Sequence, residues 1–333
     1  MINANPAIAV IGSGSWATAL VKLLQHHNLT VHWWIRTQRS LDSIRSEGRN
    51  PKYLSSLSIS LENTHLTTAI EEAVQPADMV VLAIPSFFLR DALAPLPPDA
   101  LHNKVLISAI KGIVPESDQL VSAYLTDAYK VPEEQFVGIS GPSHAEEVAY
   151  GRETYLTLAA KTPDVARSVA ELIKTDFLHI QVSSDVEGLE YAAVLKNVYA
   201  IAGGICNSLG YGDNFQAVLV ASAAREIQTF LDTVAPMHRS IMETGYLGDL
   251  LVTAYSQFSR NRTFGNMIGK GYQTNAALME MTMVPEGYYA IEPAYHLLCH
   301  YGIEAPILKA VHHILHDRHP AEETMITVAA NLG

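Results

Sequence analysis

Lys196 is the residue of this sequence best placed for proton transfer. It lies in the mainly apolar segment 189–200, and the positions at helical spacing from it hold alanine or glycine. Burial among such small side chains would lower the pKa of the lysine toward the range useful for acid–base catalysis. Carbonyl reduction needs such a proton donor, because the developing alkoxide must be protonated. The alternative is a surface lysine whose amine reaches solvent.

Polar residues in the segment 247–261 predict one wall of a polar cleft. They recur every three or four positions, at Asp249, Thr253, Ser256 and Arg260. On a single helix these four would share one face. Arg260, with the adjacent Asn261, could bind a phosphate group. A stripe that faces solvent is the alternative.

The turn Gly12–Ala17 follows an apolar run and precedes a helical segment, the context of a dinucleotide-binding turn. Gly12 permits a tight turn, Gly14 lets the backbone approach a pyrophosphate, and Ala17 is the small third residue. The anion would meet the free N–H groups at the start of the helix. The alternative is a glycine-rich turn without a ligand.

Arg36 follows the second predicted strand, where an acidic residue usually binds the ribose 2′-hydroxyl of NAD. No carboxylate occurs before Asp42. A guanidinium can pair with the 2′-phosphate of NADP, so we expect NADP to be accepted. NAD stays possible as the cofactor.

Two loops follow predicted strands at the edge where open α/β sheets bind ligands. The first, 108–112, contains Lys111, and the second is 140–145. The second also predicts a helix start with Pro142 near its first position. Its N–H groups could hold an anion or the nicotinamide amide.

These candidates lie on a predicted doubly wound α/β domain. Near-continuous apolar runs predict buried strands at 7–11, 30–35, 78–84, 104–109 and 136–139. Further candidate strands are 155–160 and 178–182. Helical patterns cover 16–26 and 116–128. From Val186 onward the chain is rich in alanine and leucine with helical periodicity, so we expect a sheet domain at 1–185 and an all-helical domain at 186–333.

Composition limits the function further. A chain of 333 residues predicts two domains, and a net charge of −12 argues against a nucleic-acid-binding surface. The two cysteines predict ordinary buried thiols in a reducing compartment. Neither a signal peptide nor a membrane-spanning run is visible, so we expect a soluble cytoplasmic protein.

The chain has 14 histidines, four of them close together near its C-terminus: His312, His313, His316 and His319. We expect these four to form a solvated helix face rather than a metal site. No metal cofactor is therefore predicted.

Several segments together resemble the bacterial NAD(P)-dependent glycerol-3-phosphate dehydrogenase family. The matching segments, in chain order, are GSGSWATAL, SAIKGIVPES, ISGPSHAEEVA, LKNVYAIAGGI, LGDLLVTAYSQFSRNRTFG and VPEG. They extend over nearly the whole chain. The resemblance implies a Rossmann-type domain followed by a helical domain, usually as a homodimer. It also implies NADP or NAD as cofactor, and reversible reduction of dihydroxyacetone phosphate to sn-glycerol 3-phosphate, the backbone of glycerophospholipids.

The resemblance also implies roles for individual residues. Lys196 would transfer the proton, with Lys111 and Asp249 as the other catalytic residues; Lys111 would lower its pKa and Asp249 would raise it. The substrate would contact Lys111, Gly141, Ser143, Lys196, Asp249, Ser259, Arg260 and Asn261. The cofactor site would comprise Gly12, Gly14, Ser15, Trp16, Arg36, Lys111, Ala145, Arg260, Val284 and Glu286.

Three positions depart from the usual family pattern. Ala17 replaces a common glycine, His144 replaces a common phenylalanine, and Pro285 lies inside the VxEG segment. The first two are conservative for backbone and space. Pro285 would change the backbone that leads to Glu286 and could alter how Glu286 meets the cofactor.

Two other functions fit some of these features. A 3-hydroxyacid or phosphogluconate-type dehydrogenase also joins a Rossmann domain to helices and can use a lysine, but Arg260–Asn261 favours a small phosphorylated ketone. A redox sensor would bind the dinucleotide without turnover. The joint presence of Lys196, Lys111 and Asp249 argues against a sensor.

Overall fold

The computed structural model describes residues 5–332, which divide into two compact units. The first comprises the chain up to Ile110 together with Gln119–Val186. The second comprises Lys111–Asp118 and the chain from Glu187 onward. A short segment that follows the fifth strand therefore belongs to the C-terminal unit.

The first unit contains an eight-stranded sheet of Rossmann type. The strands of the chain are β1 (Ile8–Ile11), β2 (Val31–Trp34), β3 (Thr64–Thr67), β4 (Met79–Leu82), β5 (Val105–Ser108), β6 (Ile113–Val114), β7 (Gln119–Leu120), β8 (Phe136–Ser140), β9 (Thr154–Ala159) and β10 (Leu178–Ser183). The sheet has the order β10-β9-β8-β5-β4-β1-β2-β3, and β8 pairs with β9 in antiparallel orientation while the other neighbours are parallel. The doubly wound fold predicted from the sequence is confirmed.

Helices cover the sheet and account for the apolar strands. They are α1 (Ser15–His26), α2 (Gln38–Glu47), α3 (Ile70–Val74), α4 (Leu89–Leu93), α5 (Val121–Tyr129), α6 (Ala145–Ala149) and α7 (Pro163–Ile173). All residues of β1 and β4 are buried, as expected for central strands covered on both faces.

The predicted helix at 116–128 begins too early. Glu116 and Asp118 have φ angles of +67° and +52°, which a right-handed helix does not allow. The helix starts only at Val121. The strand β3 was not predicted, because its residues Thr-His-Leu-Thr alternate too weakly over four positions.

The second unit is helical, as predicted. Its helices are α8 (Val186–Ser208), α9 (Asp213–Val234), α10 (Asp249–Tyr255), α11 (Arg260–Gly269), α12 (Thr274–Glu280), α13 (Glu286–Tyr301), α14 (Pro306–Leu315) and α15 (Ala321–Asn331). Within residues 5–332, no helix is both long and apolar enough to cross a membrane.

The helices α8 and α11 touch through their backbones. A Cβ atom on Gly204 would overlap the carbonyl oxygen of Arg262, and one on Gly265 would overlap that of Ile201. Glycine at these two positions therefore sets how closely the helices approach. The same two helices carry Lys196 and Arg260.

The single helix predicted over 247–261 is wrong. The helix α10 ends at Tyr255, Ser256 is extended with ψ of 135°, and α11 starts at Arg260. Serine favours this break, because Ser256 Oγ accepts from the N–H of Phe258 and Ser259 Oγ caps α11 by accepting from Arg262. Ser256 and Arg260 thus do not continue the face that bears Asp249.

Two further predictions about side chains need correction. Cys206 is buried as expected, but Cys299 is exposed. Within the predicted solvated histidine face, His319 is exposed whereas His312 is buried. His312 lies on α14 and contacts Tyr295 and Glu292 of α13.

Candidate active site

Asp249 joins the two lysines that the sequence analysis singled out. Its Oδ1 accepts a hydrogen bond from Lys196 Nζ, and its Oδ2 lies 2.9 Å from Lys111 Nζ. The side chains of Lys196 and Asp249 are 6% and 2% exposed, and that of Lys111 is 19% exposed. Two cations and one anion therefore share a site with little access to water.

Three separate segments bring these groups together within the helical unit. Lys196 lies in the middle of α8, with alanines at helical spacing from it. Asp249 is the first residue of α10, where the helix dipole favours a carboxylate. Lys111 is the first residue of the segment between the two parts of the sheet unit.

Burial controls the charge of this cluster. It lowers the pKa of Lys196 to about 7; Asp249 opposes this shift and Lys111 adds to it. Burial alone would raise the pKa of Asp249, but the two lysines outweigh it and keep that pKa below its ordinary value. Asp249 is thus an anion near neutral pH, while Lys196 can gain or lose a proton.

A chain of amide groups holds the cluster from one side. Asn197 Nδ2 donates to the carbonyl oxygen of Lys111 at 2.9 Å, and Asn197 Oδ1 accepts from Asn261 Nδ2 at 2.9 Å. Asn261 Oδ1 in turn accepts from the N–H of Gly287 at 2.9 Å. The Asn261 side chain is thus hydrogen-bonded to protein groups through both its oxygen and its nitrogen, so it connects Asn197 to Gly287.

Asn197 was missed by the sequence analysis. It follows Lys196 directly, and a buried amide on an apolar helix is the signal that could have indicated it. Because it connects Lys111 and Asn261 to α8, it positions two of the expected site residues.

Arg260 begins α11 and lies close to the start of α13. Its Nη1 donates to the carbonyl oxygen of Val284 at 3.4 Å. Ser259 precedes it as the N-cap residue. Pro285 occupies the N-cap position of α13 in an extended conformation, so Glu286 is the first helical residue. The structure therefore brings Arg260 into contact with Val284, two residues before Glu286.

The glycine turn of the sheet unit has the geometry that a dinucleotide phosphate needs. Gly12 has a φ of +133°, and a Cβ there would overlap the carbonyl oxygen of Ala83. At Gly14 a Cβ would meet no described atom within 4 Å, so the space beside this backbone is open. The helix α1 begins at the next residue, and no side chain of the described residues caps its N-terminus. A pyrophosphate fits these groups.

Buried side chains hold this turn in place. Trp33 Nε1 donates to the carbonyl oxygen of Gly12 at 2.6 Å, and Asn50 Nδ2 donates to that of Ser13 at 3.0 Å. Trp16 Nε1 is buried and lacks a hydrogen-bond partner within residues 5–332, so it is a donor available to a ligand. Arg36 is exposed at the end of β2, with its guanidinium 5.4 Å from the centre of the Phe88 ring.

The loop after β8 carries the remaining expected residues. Gly141 has a φ of +105°, and Ser143 Oγ donates to its carbonyl oxygen at 3.0 Å. The helix α6 begins at Ala145 with His144 as its N-cap residue. The prediction that Pro142 lies near the first helical position is wrong, because α6 begins three residues later, at Ala145.

Comparisons with known proteins agree on one family. The profile described as "NAD-dependent glycerol-3-phosphate dehydrogenase N-terminus" matches residues 7–166, and the one described as the C-terminus of the same enzyme matches 185–326. A protein named glycerol-3-phosphate dehydrogenase [NAD(P)+] 1 from Salinibacter ruber is 37% identical, with 93% of this chain and 91% of that protein covered. A glycerol-3-phosphate dehydrogenase [NAD(P)+] from Syntrophomonas wolfei is 34% identical, with 96% and 93% covered.

Solved structures show the same likeness. The crystal structure of glycerol-3-phosphate dehydrogenase from Coxiella burnetii superposes with a TM-score of 0.90 at 26% identity, covering 97% of this chain and 98% of that chain. D-mandelate dehydrogenase has a TM-score of 0.62 at 13% identity, with 98% of this chain and 100% of that chain covered, which shows the shared fold alone.

Proposed function

This chain belongs to the NAD-dependent glycerol-3-phosphate dehydrogenase family, and from that membership we propose that it reduces dihydroxyacetone phosphate reversibly to sn-glycerol 3-phosphate. The observation that carries the proposal is the buried pair of Lys196 and Asp249, with the pKa of Lys196 lowered to about 7. A lysine in that state can donate a proton in one direction and accept it in the other.

The residues of the helical unit supply the proton chemistry. A bound nicotinamide cofactor supplies the hydride that reduces the carbonyl carbon. Protonated Lys196 donates its proton to the carbonyl oxygen, which completes the alcohol, and neutral Lys196 removes that proton in the reverse reaction. Asp249 holds the Nζ of Lys196 in place and stabilises its charged form.

Substrate binding rests on charge and geometry. Arg260 presents a guanidinium, which can hold a phosphate through two parallel hydrogen bonds. Lys111 adds a second cation beside the proton donor. Four further contacts of the substrate stay predictions: Ser259, Asn261, Gly141 and Ser143. A phosphate fixed in this way orients the carbonyl for reaction.

The cofactor is NADP or NAD. The open backbone at Gly14 and the start of α1 support binding of the pyrophosphate. The exposed guanidinium of Arg36 at the end of β2 supports acceptance of the 2′-phosphate of NADP. The other cofactor contacts implied by the family resemblance stay predictions: Ser15, Trp16, Lys111, Ala145, Arg260, Val284 and Glu286.

The family resemblance also supports a cytoplasmic homodimer that supplies the glycerol backbone of phospholipids. Two free cysteines, one buried and one exposed, suit a reducing compartment. Sedimentation of the purified chain would test the dimer.

Turnover of the purified chain tests the proposed reaction. Oxidation of NADH and of NADPH is followed by absorbance with dihydroxyacetone phosphate, and the product is identified as sn-glycerol 3-phosphate. We expect turnover with this substrate and much slower turnover with unphosphorylated dihydroxyacetone. Cofactor binding without any oxidation would instead indicate a redox sensor. Turnover only with a 3-hydroxyacid or a phosphogluconate would indicate the other dehydrogenase class.

A further inference from the structure

Three side chains outside the active site converge at the C-terminal end of α14. His312 and His313 belong to the last turn of this helix, and Asp317 follows it two residues after the helix ends. One potential ligand atom from each lies within 4.8 Å of the others. His313 Nδ1 is 2.7 Å from Asp317 Oδ2, and His312 Nδ1 is 3.7 Å from the same oxygen.

The hydrogen bond made by one ring nitrogen of His312 determines which of its two nitrogens can bind a metal ion. His312 Nε2 lies 3.1 Å from Glu292 Oε2. Because an ionised carboxylate only accepts hydrogen bonds, Nε2 carries the proton, and Nδ1 keeps its lone pair. This Nδ1 is buried and has no hydrogen-bond partner in the described part of the chain. A carboxylate behind a histidine is the usual support of a histidine that binds a metal.

Neighbouring rings fix the orientation of His312. Tyr295 stacks on it with ring centres 3.7 Å apart and planes 9° apart, and His316 stacks at 5.1 Å and 12°. The side chain of His312 is only 8% exposed. The ring thus faces Asp317 in the correct tautomer before any ion arrives.

We propose that His312 Nδ1, His313 Nδ1 and a carboxylate oxygen of Asp317 bind a divalent transition-metal ion, with Zn²⁺ as the preferred occupant. Without the ion, His313 Nδ1 donates its proton in the hydrogen bond to Asp317. The ion would replace that proton, which is released to solvent or moves to His313 Nε2. Two imidazoles and one carboxylate form a donor set typical of zinc in proteins, and water would complete the tetrahedron. An all-oxygen set, which calcium and magnesium prefer, is absent from this trio.

The position of the site gives the ion a structural effect. It would connect the last turn of α14 to the segment that leads into α15. An ion that binds the folded chain in preference to the unfolded chain stabilises the fold. The active-site residues Lys196, Asp249 and Lys111 are not among the ligands, so this site is independent of the proposed reaction.

Titration of the full-length protein with zinc tests the site. After removal of metals with a chelator, isothermal titration with ZnCl₂ should show one ion per chain, and Zn²⁺ should raise the melting temperature. Cobalt in place of zinc should give the intense d–d absorption of a four-coordinate ion. Asp317→Ala and His313→Ala should each weaken zinc binding by at least about tenfold. The side chains of Asp317 and His313 are 47% and 33% exposed, so both variants should fold.

A matched control separates this site from surface histidines in general. His300→Ala removes an exposed histidine of α13, and zinc binding by this variant should equal that of the unchanged protein. Circular dichroism and the melting temperature without zinc verify that the variants are folded. Absence of stoichiometric zinc binding would overturn the proposal. So would unchanged affinity in both Asp317→Ala and His313→Ala, or equal loss in His300→Ala.

Discussion

Lys111 Nζ donates a hydrogen bond to Asp249 Oδ2 at 2.9 Å although 138 positions separate the two residues in the sequence. The contact places a second cation beside the carboxylate that already pairs with Lys196. The charge of Lys111 therefore lowers the pKa of Lys196. The distance between Lys111 and Asp249 in the sequence gives no indication that their side chains are in contact.

Replacement of Lys196 tests its role as the proton donor. Lys196→Met should lower kcat by roughly 10²- to 10⁴-fold, because the alkoxide would lose its acid. The dissociation constant of NADH, measured by fluorescence, should change little. Asp249 keeps Lys111 as a partner in this variant, so the fold should survive. Near-normal turnover would remove Lys196 from the mechanism.

The pH profile should report the lowered pKa of Lys196. Reduction needs the protonated amine, so its rate should fall as the pH rises through about 7, and the rate of oxidation should rise over the same range. Lys111→Met removes a cation that lowers this pKa, so the inflection should move to higher pH. Lys174→Met, an exposed lysine of the sheet unit, should leave the inflection in place.

Arg260 should determine the preference for a phosphorylated substrate. Arg260→Lys keeps the charge but loses the two-pronged guanidinium, and KM for dihydroxyacetone phosphate should rise about ten- to a hundredfold. The slow rate with unphosphorylated dihydroxyacetone should change far less. Arg225→Lys, on the exposed face of α9, is the matched control. An equal loss with both substrates would show that Arg260 supports the fold or the cofactor instead.

Neighbouring glycines of α8 should respond differently to alanine. Gly204→Ala would force a Cβ into the carbonyl oxygen of Arg262, so the free energy of unfolding should fall by about 1–3 kcal/mol. At Gly203 a Cβ would lie 3.4 Å from a side-chain oxygen of Gln216, an ordinary contact. Gly203→Ala should therefore be neutral or stabilising by up to about 1 kcal/mol. Urea unfolding of both variants measures the contrast, and equal effects would contradict the close approach of α8 and α11.

Glu226 should make stability depend on pH. Its carboxylate accepts from the N–H groups of Ile307 and Leu308 at the start of α14 and from the Tyr199 hydroxyl. Burial nevertheless raises its pKa from 4.5 to about 7. A raised pKa means that the folded state favours the protonated acid, so this contribution is complete below pH 4.5 and is lost as the pH rises to about 7.

The Glu226→Gln variant isolates that contribution. Across this interval the free energy of unfolding of the unchanged protein should fall by roughly 3 kcal/mol more than that of the variant. Denaturant unfolding at several pH values provides the comparison. Parallel curves for the two proteins would show that Glu226 titrates with an ordinary pKa.

Much of the sheet unit follows from local pattern. The central strands are apolar over their whole length, and the turn at Gly12 and Gly14 requires backbone freedom that the sequence makes visible. The strand β3 escaped prediction because it is short and half polar. Its place depends on pairing with β2, which is a tertiary contact.

The helical unit is harder to predict from the sequence. Lys196 could be identified as a candidate site residue because its helix is otherwise apolar. The break at Ser256 could not be predicted in this way, since it depends on competition between serine side chains and the helix backbone for hydrogen bonds. The burial of His312 depends on Tyr295 and Glu292, which lie on another helix. Periodicity alone contains no information about such partners.

Backbone contact between α8 and α11 has a consequence for substrate selection. With no side chain between Gly204 and Gly265 of the two helices, there is no compressible layer to absorb a change in spacing. The helix that carries Lys196 and the helix that carries Arg260 are therefore held at a fixed spacing. We expect a molecule whose carbonyl and phosphate are separated by one carbon more or less to be rejected by its length.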